Sequence, residues 1–128
     1  MKAAEARVLL TGASGGTVSS IIGNTTGGVT KTGAGTWTLC GANTYTAGTT
    51  LSGGTVIAGN NAALSSGTVT FNGGGLASDN AARTLANNIV VNSVAGNQIN
   101  GSNNLTLTGA ASGAGTLVVN MSDNTKAV

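Results

Sequence analysis

Glu5, Asp79 and Asp123 are the only carboxylates in this 128-residue chain, and it has no histidine. A nucleophile triad lacks its usual base under those conditions. Glycoside hydrolysis needs two carboxylates about 5–10 Å apart, and these three are widely separated in sequence. Metal centres need clusters of Cys, His, Asp or Glu, whereas isolated aspartates offer calcium only a weak hold. Asp79 and Arg83 are spaced to meet at a chain corner, where a surface ion pair is expected. Cys40 is the single cysteine, so no internal disulfide forms. It comes directly after Leu39, and strand alternation turns it outward, as an exposed thiol or as one half of an intermolecular disulfide. The Asn-x-Ser/Thr triplets at Asn24, Asn100, Asn104 and Asn120 are expected by chance in a chain this rich in Asn and Thr.

The run Val8-Leu9-Leu10-Thr11-Gly12-Ala13-Ser14-Gly15-Gly16 reads as a strand with a Gly-rich turn. A pyrophosphate site built this way needs a helix N-terminus after the turn. The next residues, Thr17-Val18-Ser19-Ser20-Ile21-Ile22, are strand-like instead, and Val18 stands where the last glycine belongs. No acid lies at the right distance beyond it and no Tyr-x-x-x-Lys pair exists, so no dinucleotide site is expected. The five cations, Lys2, Arg7, Lys31, Arg83 and Lys126, are scattered, whereas nucleic-acid binding needs them clustered. No apolar run approaches the ~18–20 residues of a membrane span, and Val8-Leu9-Leu10 is too short for a signal sequence. The chemistry-bearing residues thus predict a protein with no enzymatic activity, cofactor, metal, nucleic-acid partner or membrane insertion.

The elements that must position these residues are short strands. Gly occupies 22 positions, Pro none, and only 6% of residues are charged against 40% hydrophobic. Disorder requires low hydrophobicity with high net charge, and a net charge of +2 does not fit it. Thr36-Trp37-Thr38-Leu39, Thr68-Val69-Thr70-Phe71 and Leu105-Thr106-Leu107-Thr108 alternate with period two. Ile89-Val90-Val91 and Leu117-Val118-Val119 are continuous apolar runs. Gly53-Gly54, Gly59-Asn60-Asn61, Asn72-Gly73-Gly74-Gly75 and Asn100-Gly101 break the strands and supply corners. Repetition is internal as well: Gly33-Ala34-Gly35-Thr36-Trp37 returns as Gly113-Ala114-Gly115-Thr116-Leu117, and Leu10-Thr11-Gly12-Ala13 as Leu107-Thr108-Gly109-Ala110. A hairpin sandwich also has short strands. Outward Thr and inward Val, Leu and Ile recurring in step with Gly-Asn corners favour instead an all-β, right-handed parallel β-helix. About six coils of roughly 20 residues would make a rod near 30 Å long at the ~4.8 Å strand spacing. Asn residues at the corners are expected to stack above one another as amide ladders.

Lys31-Thr32-Gly33-Ala34-Gly35-Thr36-Trp37-Thr38-Leu39, with Gly41-Ala42-Asn43-Thr44-Tyr45-Thr46 after it, closely resembles the autotransporter-associated β-strand repeat of bacterial autotransporter passengers. Gly53-Gly54-Thr55-Val56 and Arg83-Thr84-Leu85-Ala86-Asn87-Asn88-Ile89 extend the likeness, which runs over about residues 29 to 119. The resemblance implies a parallel β-helix, passage through the outer membrane to the bacterial surface or beyond, and a role in stalk formation or passenger transport. It brings no catalytic residues with it. Cys40 stands where the family usually has Ser, and residues 1–7 have no counterpart. Those seven residues are expected to be a cap or linker, with 8–128 forming a solenoid of one ~80-residue repeat and partial flanking repeats.

The resemblance and the pattern together lead to three expected roles. One is a stalk; a second is a subunit of a self-assembling extracellular filament; the third is an adhesin segment that touches host or biofilm glycans. The span from Thr32 to Ser78 has no ionised side chain, and open solenoid ends present strand edges, so the expected partner is the protein itself, stacked end to end. Trp37, Cys40 and Tyr45 are the candidate surface or assembly contacts.

Overall fold

The computed structural model describes residues 8–23, 26–92, 95–101 and 103–121. Every regular element in them is a strand. Six strands form the first sheet: β1 (Val8–Leu10), β3 (Val29–Lys31), β5 (Thr49–Leu51), β7 (Val69–Phe71), β10 (Ile89–Val91) and β13 (Ala111–Ser112). Six more form the second: β2 (Gly16–Val18), β4 (Thr36–Leu39), β6 (Thr55–Ala58), β8 (Gly75–Ser78), β11 (Gln98–Gly101) and β14 (Val118–Met121). A third, short face pairs β9 (Arg83–Leu85) with β12 (Leu105–Leu107).

All pairings are parallel, and each strand's neighbours come from the coils before and after it. Val8 pairs with Val29, Val29 with Thr49, Thr49 with Val69, Val69 with Ile89 and Ile89 with Ala111, a step of about twenty residues per coil. The chain is thus a β-solenoid of about five turns, one fewer than the six coils expected, because six strands enclose five full turns. The two echoed Gly-Ala-Gly-Thr blocks lie four coils apart. Residues added near the C-terminal end shift the second block by two positions, so Trp37 sits four strands from Val119 rather than from Leu117. A shift of two preserves the face, which is why the pattern survives it.

Alternation sorts the side chains. In the first sheet the middle residues, Thr30, Thr50, Thr70 and Val90, stack in one outward column. The flanking residues point inward, and Val29, Leu51, Val69 and Phe71 are no more than 1% exposed. In the second sheet Val56, Leu76 and Ile99 form the facing inner column. Burying a side chain of this kind contributes about 1.5–3 kcal/mol, and the narrow core holds one layer from each face. The corners continue the ladders in the backbone: Thr32 N donates to Leu10 O, Ser52 N to Lys31 O, Asn72 N to Leu51 O and Asn92 N to Phe71 O.

Candidate functional site

Strand β3 places a lysine inside the rod. Val29 points inward, so Lys31, two residues on, points inward as well, in the column of Leu10, Leu51 and Phe71. Its side chain is fully buried. The ammonium Nζ donates to Thr32 O at 2.6 Å, to Gly33 O at 3.1 Å and, one coil on, to Gly53 O at 3.2 Å. Three protons meet three carbonyls at a corner where the chain turns too sharply for the ladder to reach them. Charge-assisted bonds are the stronger kind, and here they offset part of the cost of removing an ammonium from water. Burial holds the Lys31 pKa below its ordinary value. The corner leaves no room for more: Gly54 has φ +62°, and a Cβ there would stand 2.5 Å from Lys31 Nζ and 2.6 Å from Gly33 O.

Three buried asparagines do related work. Asn43 accepts from Ile22 N at 2.8 Å in the coil before it and donates to Ala63 O at 2.6 Å in the coil after. Asn87 Nδ2 donates to the carbonyls of Leu64, Ser65 and Gly67. Asn97 accepts from Gly73 N at 2.7 Å and donates to Thr116 O at 2.9 Å. The expected amide ladder is therefore replaced at these corners. Each amide bridges to backbone of neighbouring coils, because a chain that turns a corner leaves backbone groups unpaired and stranding them is costly. Among the described residues, no buried side-chain nitrogen or oxygen lacks a partner.

Tyr45 is fully buried, which corrects its reading as a surface contact. Its hydroxyl lies 2.7 Å from Thr49 Oγ1, an inward-facing threonine, and its carbonyl accepts from Ser65 Oγ. Desolvation pushes the phenol pKa up to about 12, opposed by the Thr49 bond. Trp37 is half-buried on the inner side of β4. Its ring reaches down over Gly16, where a Cβ would stand 2.9 Å from the ring carbon Cζ3, and Nε1 donates to Thr11 O at 3.3 Å. The indole fills the hole that Gly16 leaves in the inner column and packs against the core, with part of the ring left accessible. Cys40 is exposed, just beyond buried Leu39, as alternation predicts. The structure does not bring the three residues together.

Asp79 and Arg83 do meet. Arg83 Nε and Nη2 each lie 2.8 Å from one Asp79 carboxylate oxygen. The guanidinium holds the Asp79 carboxyl below the usual carboxylate range and is itself held more firmly charged. With Lys31 inside, this pair is the only charged pair the described residues present to solvent, and residues 8 to 78 present no ionised side chain. Among the described residues no group of three or more Cys, His, Asp or Glu is gathered. Sequence reasoning overlooked Lys31. The signal was there, in the Val29-Thr30-Lys31 alternation in phase with Thr49-Thr50-Leu51.

Residues 29–58 match the model of the passenger-associated-transport-repeat family, over the stretch that carries Lys31, the Gly33 and Gly54 corners, Trp37 and Tyr45. The match supports the autotransporter passenger resemblance. Comparison with curated proteins and with solved structures finds no match.

Proposed function

We propose that this chain is a non-enzymatic structural segment of a bacterial surface passenger, a stiff rod that holds other parts of a longer protein away from the cell. The observation that carries this reading is the continuous ladder. Two sheets of six parallel strands each run in register from one end of the described rod to the other, and the corners between them are closed by internal plugs. A structure in which each coil touches only its neighbours suits a spacer, since length is added one coil at a time without altering the rest. The passenger-repeat match at residues 29–58 agrees with that role and with a place on the bacterial surface.

The outermost described strands, β1 and β2 at one end and β13 and β14 at the other, each pair on one side only. Strand edges of this kind accept a further strand. The partner proposed for them is another coil of the same kind, from the same longer array or from a second copy of the chain. Electron microscopy of tandem fusions tests the spacer reading: each added copy should lengthen one straight rod by the same increment. Globules joined like beads on a flexible string would overturn it. Sedimentation of the single chain separates the two sources of the extra coil, because lengthening assemblies at high concentration mean stacking between copies.

A further inference from the structure

The outer face of the second sheet is not flat. Its outward columns, read across β4, β6, β8 and β11, are Thr36, Thr55, Gly75, Gln98 and Thr38, Ile57, Ala77, Asn100. The two smallest residues, Gly75 and Ala77, share strand β8 in the middle of the face. Walls of Thr55 and Ile57 on one side and Asn100 on the other therefore rise above a low floor. Ala77 is only 6% exposed although it faces outward. At Gly75, Thr55 Oγ1 and Asn100 Nδ2 lean in from opposite sides, 3.2 and 3.3 Å from where a Cβ would stand. Asp79, Asn80 and Gly101 close one side. The result is a groove with a volume of about 510 Å³, within the range of small-ligand sites, which is about 300–1,000 Å³.

From this geometry we infer that the groove is a binding site for a short stretch of neutral, polyhydroxylated chain, an uncharged glycan. The lining decides the class. Thr hydroxyls each donate and accept, and the Asn100 amide, whose Nδ2 donates to Gln98 Oε1 at 3.2 Å, adds a carbonyl acceptor at the same edge, which matches vicinal hydroxyls that do both. Asp79, the one carboxylate in the lining, is already held in a two-point pair with Arg83. Among the described residues no unpaired cation lines the groove, so phosphate, sulfate and nucleic-acid chains find nothing there to neutralise them. Ile57 and Ala77 give a narrow apolar strip, enough to lie against the C–H face of a sugar ring and too small to seat an aromatic or amphipathic peptide. A peptide adding as a strand is barred too, because β6 and β8 are paired on both sides. The groove crosses four strands, a length of about 14 Å at the strand spacing.

One such site is shallow, so a dissociation constant in the millimolar range is expected, with useful avidity only where copies of the segment are arrayed. The inference stands apart from the spacer reading: a rod can carry the groove or lack it. The test is NMR titration of the isotope-labelled chain with neutral cello-, chito- and manno-oligosaccharides. At least one should shift the backbone signals of Thr38, Thr55, Ile57, Ala77 and Asn100 in a saturable way, leaving the Thr30, Thr50 and Thr70 column unmoved. Ala77→Leu, which fills the floor, should weaken binding at least tenfold, and Thr55→Val, which keeps the shape, should weaken it several-fold. Unchanged spectra away from the substituted strand, β8 for Ala77→Leu and β6 for Thr55→Val, verify that each variant is folded. The inference is overturned by silence of the groove signals through about 10 mM sugar. It is overturned equally by shifts spread alike over both sheets, by undiminished binding in Ala77→Leu, or by a sulfated oligosaccharide displacing the neutral ones.

Discussion

At the Lys31 corner an ammonium with three protons faces three carbonyls, those of Thr32, Gly33 and Gly53. At the Asn87 corner an amide with two protons serves three as well, those of Leu64, Ser65 and Gly67. Both plugs bind across coils, and both sit where glycines let the chain fold back on itself. The difference lies in charge and reach. Asn87 stands beside its carbonyls and needs only a short arm, and a neutral amide costs little to bury once bonded. Lys31 starts from the middle of the core, so its long stem fills the column between Leu10 and Leu51 before the head arrives at the corner. One side chain thereby packs like a leucine and bonds like a metal ion. The comparison teaches that a solenoid core can admit a full charge when the corner supplies one acceptor per proton.

Removing the two plugs should separate these chemistries. Lys31→Met keeps the packing stem and strands three carbonyls, so the urea midpoint should fall by the equivalent of about 3 kcal/mol or more. Asn87→Ala should cost about 1–3 kcal/mol. Equal losses would mean that the charge on Lys31 adds nothing to the corner.

Alkaline titration should sharpen the contrast next. The Tyr45 phenol ionises near its ordinary 10.0 when unfolded and at about 12 when folded. Unfolded chains thus lose this proton first, and stability should fall between pH 10 and 12, by up to about 2–3 kcal/mol. In Tyr45→Phe that fall should vanish. Lys31 works in the opposite sense, because its folded pKa lies below the ordinary 10.5. The unfolded chain holds the proton longer, so stability should rise as pH approaches 10.5, a rise absent from Lys31→Met and untouched by Asn87→Ala. Chemical denaturation across this range, wild type against the three variants, reads both effects.

The smallest effect is expected where charge lies outside. Asp79 and Arg83 are partly exposed at 30% and 24%, and Arg83→Ala should cost less than about 1 kcal/mol and less still in high salt. A loss as large as that of Lys31→Met would show that location inside or outside the rod does not matter, and would undo the comparison.

The strands were legible because their pattern is local. Thr36–Leu39 and Ile89–Val91 form as the alternation and the apolar run predict, and Val69–Phe71 and Leu105–Leu107 fall within the expected runs. The Gly-Asn corners and the twenty-residue step were legible for the same reason. What was not legible depends on coils that are distant in sequence. Tyr45 reads as a surface aromatic until Thr49 and Ser65 are seen to enclose its two ends. The half-burial of Trp37 depends on Gly16, in the preceding coil, lying beneath its ring. Lys31 reads as one of several scattered cations because charge is normally an outside signal. Only the register with Leu10 and Leu51 overrides that rule. Ala111–Ser112, with no β-branched residue, is a strand by virtue of its pairing with Ile89 and Val90 in the preceding coil. The groove on the second sheet was invisible for a related reason, since it exists through the small size of Gly75 and Ala77 beside larger neighbours in adjacent coils.

The ladders between coils lie along the length of the rod, and that direction has a mechanical consequence. Tension applied end to end loads the bonds between one coil and the next, so the rod yields by unwinding from an end. Each coil adds about 4.8 Å while wound. Pulled straight, its roughly twenty residues reach about 70 Å. Such a tether lengthens by more than about tenfold per coil before the chain is taut, and with neighbours still wound it keeps a template on which to recoil. Plugs such as Lys31 then act as detents, setting the force at which each turn lets go.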